Sequence, residues 1–199
     1  MNAGEQYTWE LLKELDSQDV QTRTGATYDP GNGTYQLDLF NQRIGVQLED
    51  GAISGSTPEA ELLVGRLSYF SRISILSFLV NGQNIPPSGQ WVKPEEMPGM
   101  DAMVRGSHAL PLSKVATRYA NDTEAFLQRG SSYGGTPMSF GDASLLLHPF
   151  RAMPLVVILW TEDDEFPARC GVLLDRSSQS HVPQDVLWCI MMLTLLALC

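Results

Sequence analysis

Four adjacent carboxylates, Glu162-Asp163-Asp164-Glu165, are the densest chemistry in this sequence. They stand between two apolar segments, and their mutual repulsion can raise a pKa or draw in a hard cation with oxygen ligands. A solvated hairpin turn is the competing reading. The spacing lacks the alternating ligands and central glycine of a calcium loop. Histidines are scarce: His108, His148 and His181. His108 follows Arg105-Gly106-Ser107 in a Gly- and Pro-rich stretch, where an imidazole could hold a metal or shuttle a proton. His148 ends an apolar strand, and for each histidine a structural role competes with a chemical one. The constellation worth testing as a ligand or metal site is His108 with Asp142, Asp163 or Glu165, since all four fall at loops or strand ends. No residue in it is assigned a catalytic role.

Other chemistries lack their parts. Cys170, Cys189 and Cys199 form no CxxC pair, so the chain offers no cysteine motif for an iron–sulfur cluster. An odd count with two cysteines in the last eleven residues does not suit a secreted disulfide framework. Cys170 falls inside a strand and is expected to be buried and inert. No GxSxG elbow exists for a serine hydrolase. Gly134-Gly135 lacks the lysine and spacing of a phosphate loop, and Gly31-Asn32-Gly33 lacks a dinucleotide fingerprint. Trp91 is read as a plug over the core in preference to a stacking platform.

The elements that would position these residues follow from periodicity. Residues 5–16 predict a first helix with Trp9 and Leu12 on one stripe. Tyr35, Leu37 and Leu39 alternate with polar neighbours, Ile44 to Leu48 repeats the pattern, and Asp50-Gly51 turns into Ala52-Ile53, which together predict an antiparallel meander. Thr57 before Pro58 and Glu59 starts a helix expected to reach Leu79, stopped by Asn81-Gly82. Residues 84–110 read as a long irregular loop, and 112–128 as a helix stopped by Gly130. Ser144–Leu147, Leu155–Trp160 and 168–174 are apolar enough for central strands covered on both faces. A terminal helix starts near Pro183. With no internal repeat or linker, the expectation is one α+β domain over 1–199: a mostly antiparallel sheet, an N-terminal meander and about four packed helices.

Thirteen basic against 23 acidic residues leave a formal net charge of −10, which repels phosphate backbones and argues against nucleic acid. The polar, acidic start lacks the basic and apolar regions of a signal peptide, so a cytoplasmic location is expected. The tail from Val186 to Cys199 is apolar but about 21 Å long as a helix, short of the ~30 Å hydrocarbon thickness. A buried core helix is the favoured reading of it. Docking onto a protein partner is the second reading, and a tail anchor the third. The oligomeric state is left open.

The second half carries a recognisable series: Gly106-Ser107-His108-Ala109-Leu110-Pro111, Gly134-Gly135, Gly141-Asp142, Met153-Pro154, then Leu159-Trp160 through Asp163, Glu165-Phe166-Pro167-Ala168, ending in Leu173-Leu174-Asp175-Arg176-Ser177. With Trp9 and Thr24-Gly25-Ala26 upstream, the sequence resembles the bacterial family called domain of unknown function 3786 over most of its length. That resemblance implies a setting among anaerobes, where some members carry a cysteine-rich cluster segment and such domains occur in corrinoid proteins of one-carbon metabolism. No such segment is present here, so the cluster does not carry over. The resemblance supplies no reaction. The function expected from it is an accessory or ligand-binding protein linked to cofactor-dependent one-carbon or redox metabolism. The alternatives are a metal-assisted enzyme with a His/carboxylate site, and an interaction subunit docking through its apolar tail.

Overall fold

The alternation over 34–48 folds as a period of two dictates. In the computed structural model, which describes residues 3–103 and 109–199, Tyr35, Leu37 and Leu39 of β2 (Thr34–Leu39) are buried while Gln36 and Asp38 face water. β3 (Gln42–Gln47) pairs with it antiparallel, Leu39 opposite Gln42. The two linking residues, Phe40 and Asn41, have φ of 50° and 59°, the left-handed pair that lets a two-residue turn match strand twist. For a buried phenylalanine that backbone is strained. It is held by its N–H, which donates to the Pro149 carbonyl at 3.2 Å and so ties this turn to a second sheet. β1 (Thr27–Asp29) and β4 (Ala52–Gly55) complete the first sheet in the order β1-β2-β3-β4.

The second sheet is antiparallel throughout, in the order β5-β9-β8-β7-β6: β5 (Trp91–Val92), β6 (Thr136–Pro137), β7 (Ala143–Phe150), β8 (Met153–Trp160) and β9 (Arg169–Asp175). β8 is buried from Met153 through Leu159, as a central strand covered on both faces must be. The fold is α+β, as expected, and one cluster of buried side chains joins both sheets to the helices.

The helices are more divided than their apolar periodicity suggests, each time for a local reason. α1 (Ala3–Glu14) ends early because the Asp16 carboxylate accepts the Asp19 N–H and starts α2 (Ser17–Thr24), which closes on Gly25 at φ 74°. α3 (Pro58–Glu61) is capped by Thr57, but it does not continue straight to Leu79. Over 62–66 the chain widens, Leu67 N–H bonding the Leu62 carbonyl five residues back, and the axis bends by 94° into α4 (Ser68–Asn81). α5 (Met100–Met103) falls inside the expected loop. The helix expected over 112–128 splits into α6 (Leu112–Arg118) and α7 (Thr123–Ser131), because Asp122 accepts the Ala125 N–H and caps a new start. Gly130 lies inside α7, where its missing side chain matters: a Cβ there would sit 2.2 Å from Leu145 Cδ1, so glycine is what lets α7 lie on β7.

α8 (Gln184–Leu198) is buried along almost its whole length, which makes the apolar tail a core helix. Its last carbonyls are taken by the Tyr119 hydroxyl, on Leu198, and by Arg129 Nε, on Ala197. Among the described residues no single helix is long and apolar enough to cross a membrane.

Candidate functional site

The sequence-predicted acids gather at one end of the second sheet. Asp142 Oδ2 accepts the Thr161 N–H at 2.7 Å and the Thr161 hydroxyl at 2.9 Å, clipping the start of β7 to the end of β8. Asp163 Oδ1 accepts the N–H groups of Glu165 and Phe166 at 2.8 and 2.7 Å, and these bonds hold its carboxyl below the usual carboxylate range. Glu162 accepts from Asn121. All of these side chains are exposed, and the run is the β8–β9 hairpin turn. Their hydrogen bonds are those of turn-makers. His108, the proposed fourth member, lies outside the described residues, as does the rest of 104–107. Among the described residues no three His, Cys, Asp or Glu side chains come together to hold a metal.

Burial pushes Cys170 and Cys189 up to about 12 and also raises Cys199, so none is a thiolate at neutral pH.

A different place is better built. A cleft of about 520 Å³ is walled by three segments distant in sequence: residues 22–25 at the end of α2, the loop 83–87, and the turn 151–152 between β7 and β8. Each wall is fastened independently. Arg23 Nε pairs with Asp19 at 2.7 Å while its Nη1 donates to the Gly82 carbonyl, locking the end of α2 to the end of α4. Beyond the loop, the fully buried Asp175 carboxylate accepts five bonds: from the Ser88 N–H and hydroxyl, the Gly89 N–H, and the Ser177 N–H and hydroxyl. At its other end the buried His181 Nδ1 accepts the Gln83 N–H at 3.3 Å. The third wall is set by Phe150, whose ring stacks on Phe78 of α4 with centroids 4.1 Å apart and planes 8° apart. Arg151 follows it, exposed, with no hydrogen-bond or ion-pair partner among the described residues.

On its other side Arg151 faces a second cleft, of about 360 Å³, shared with Asp38, Asn41, Tyr133, Gly134 and His148. Gly134 at φ 71° closes on Asn41, where a Cβ would come within 2.7 Å. Desolvation lowers His148 below its ordinary 6.5, so its imidazole is neutral at neutral pH. Asp38 is paired with Arg43, and the Tyr133 hydroxyl accepts from Arg129.

His181 makes the loop wall sensitive to acid. Burial lowers its pKa, outweighing the raising effects of the Gln83 bond and the Asp175 charge. Acceptance at Nδ1 places the proton on Nε2, which is buried with no partner among the described residues. A histidine lowered in the folded state stabilises fully above its unfolded pKa, and that contribution is lost as pH falls below 6.5. Thermal unfolding midpoints are therefore expected to drop between pH 7.5 and pH 5. His181→Gln, which keeps an acceptor but does not titrate, is expected to flatten that drop to the part His148 contributes. An unchanged pH dependence in the variant would contradict the assignment.

Sequence reasoning passed over Arg151 and Asp175's anchoring role, whereas Asn84 to Pro87 belong to the long 84–110 loop that the sequence marks out. Two signals did point here: Thr24-Gly25 of the resemblance lines the cleft and Asp175 braces it. No curated protein and no solved structure matches the chain. Residues 16–196 match the sequence model of one family, and with nearly the whole chain covered the protein belongs to the family described as Domain of unknown function (DUF3786).

Proposed function

We propose that this chain is an accessory protein that binds a small organic molecule in the cleft between α2, the 83–87 loop and the 151–152 turn. The observation that carries the reading is that three walls, contributed by segments about sixty residues apart, are each locked to the core before any ligand arrives. A site ordered in advance loses less freedom on binding, which is what affinity requires. Its size lies within the range of small-molecule sites. The resemblance to a family found in anaerobes extends the proposal to a role beside corrinoid- or iron–sulfur-dependent one-carbon or redox metabolism. In that role the cleft takes a substrate or effector, and the cluster belongs to a partner.

The test is purification under anaerobic conditions, a visible spectrum, and mass spectrometry of whatever the denatured protein releases. A stoichiometric small molecule is expected. A protein that releases nothing, and whose unfolding midpoint no compound in a broad panel raises, would overturn the reading, because a ligand at a hundred times its Kd adds about 2.7 kcal/mol.

A further inference from the structure

Three features of the cleft bear on the chemical class of its ligand. Among the described residues that line it, Arg23 and Arg151 are the charged ones and none is a carboxylate. Arg23 already has Asp19 and the Gly82 carbonyl as partners, with Nη2 outside both bonds. Arg151 has none among the described residues. Beside these cations Ile85 stands 40% exposed, one of few large apolar side chains left in water, and Pro86 and Pro87 extend the same wall. An unmatched guanidinium next to an unmatched apolar wall is complementary to a molecule with an anionic head and a hydrocarbon body.

The charge of the whole chain sharpens the point. At a formal −10 the general field repels anions, so an anion that binds must be held by a local fork of donors. Arg151 supplies that fork at the start of the 151–152 turn, directly after the stacked Phe150. It also faces the second cleft, where Asn41 and the neutral His148 add polar groups and Asp38 has its charge matched by Arg43.

Resting on the ligand-binding reading, we propose that the cleft takes a small organic anion, a carboxylate or phosphate head on Arg151 with an apolar chain against Ile85, Pro86 and Pro87. The head forms charge-assisted bonds to the guanidinium, and the chain covers apolar surface otherwise left in water.

Calorimetry at fixed ionic strength with four six-carbon probes tests this: hexanoate, hexyl phosphate, hexanol and hexylamine. Hexanoate or hexyl phosphate is expected to bind one to one, the tighter of the two naming the head group, with hexanol and hexylamine much weaker. Arg151→Gln is expected to lose about 10- to 100-fold in affinity. Arg151→Lys should lose less, and Ile85→Ser should weaken the six-carbon anions while leaving the unfolding midpoint in place. Hexanol or hexylamine binding as tightly as the anions, or Arg151→Gln binding as the parent does, would overturn the anion assignment and leave the cleft a binding site. Failure of all four probes overturns the assignment as well. The ligand-binding reading itself falls only if the purified chain also releases no small molecule.

Discussion

Asp175→Ala is expected to cost the fold about 3–5 kcal/mol, read as a lower urea midpoint at unchanged m-value. The side chain is fully buried at the end of β9, and its two oxygens satisfy three backbone N–H groups and two hydroxyls. Alanine takes the shared acceptor from five part-buried donors and leaves a void where the buried carboxylate gathered the 88–89 turn and the 177 turn onto the end of β9. Burial alone would push this carboxyl up, but the bonds from Ser177 and Ser88 outweigh it and hold it down to about 2 against an ordinary 3.8. A carboxyl lowered on folding stabilises fully above its unfolded pKa and ceases to as pH falls through its folded one. Asp175 therefore contributes on the order of 2 kcal/mol above pH ~4, lost as pH drops toward 2. Asp175→Asn should remove most of that acid slope and cost less at neutral pH, since one amide oxygen still accepts. Because Ser88 and Gly89 continue directly from the 83–87 loop, both variants are also expected to weaken binding in the cleft. An alanine variant within 1 kcal/mol of the parent would show that the loop does not depend on this carboxylate.

Phe150→Ala is the second large effect, at about 3–5 kcal/mol. The ring is completely buried, lies flat on Phe78, and marks the last pair of the β7–β8 ladder, opposite Met153. Truncation removes the stacked contact and leaves a cavity between α4 and the second sheet. Phe150→Leu keeps most of the volume and should cost about 1.5 kcal/mol or less. The consequence for the site is positional. Arg151 is the next residue, so a turn released from Phe78 no longer aims its guanidinium, and anion affinity should fall in Phe150→Ala even under conditions where the variant is fully folded. A variant that melts near the parent midpoint, or that binds as the parent does, would contradict the packing account.

What the sequence made legible, and what it hid, divides along physical lines. The meander, the buried β8 and the core helix α8 were readable because burial imprints a period or an unbroken apolar run on the residues themselves. α2 was missed since Val20 is its single buried residue, too little to make a stripe. The break between α3 and α4 was invisible because the apolar rhythm runs on through Gly65 and Leu67 while the backbone changes its hydrogen-bond spacing. The split at Asp122 was a cap hidden inside a helical pattern.

The site was harder still. The eye goes to Glu162–Glu165 because charge in a run is conspicuous, yet those carboxylates are exposed and the bonds of Asp163 shape their own turn. Arg151 stands alone between two apolar strands, and the 83–87 loop has no motif. Their partnership with 22–25 exists only once two sheets and α4 have brought three distant segments together. Asp175 was visible as part of a family pattern, but its work of gathering five hydrogen bonds is a property of burial.

The central claim is that these three segments form one ligand site around Arg151. The most direct measurement is a titration of the isotope-labelled chain with hexanoate and with hexyl phosphate, followed by amide chemical shifts. Saturable shifts concentrated in residues 22–25, 83–87 and 151–152, and abolished in Arg151→Gln, are the predicted result. Shifts scattered over the basic side chains of the surface, or centred on the 162–165 turn, would contradict it.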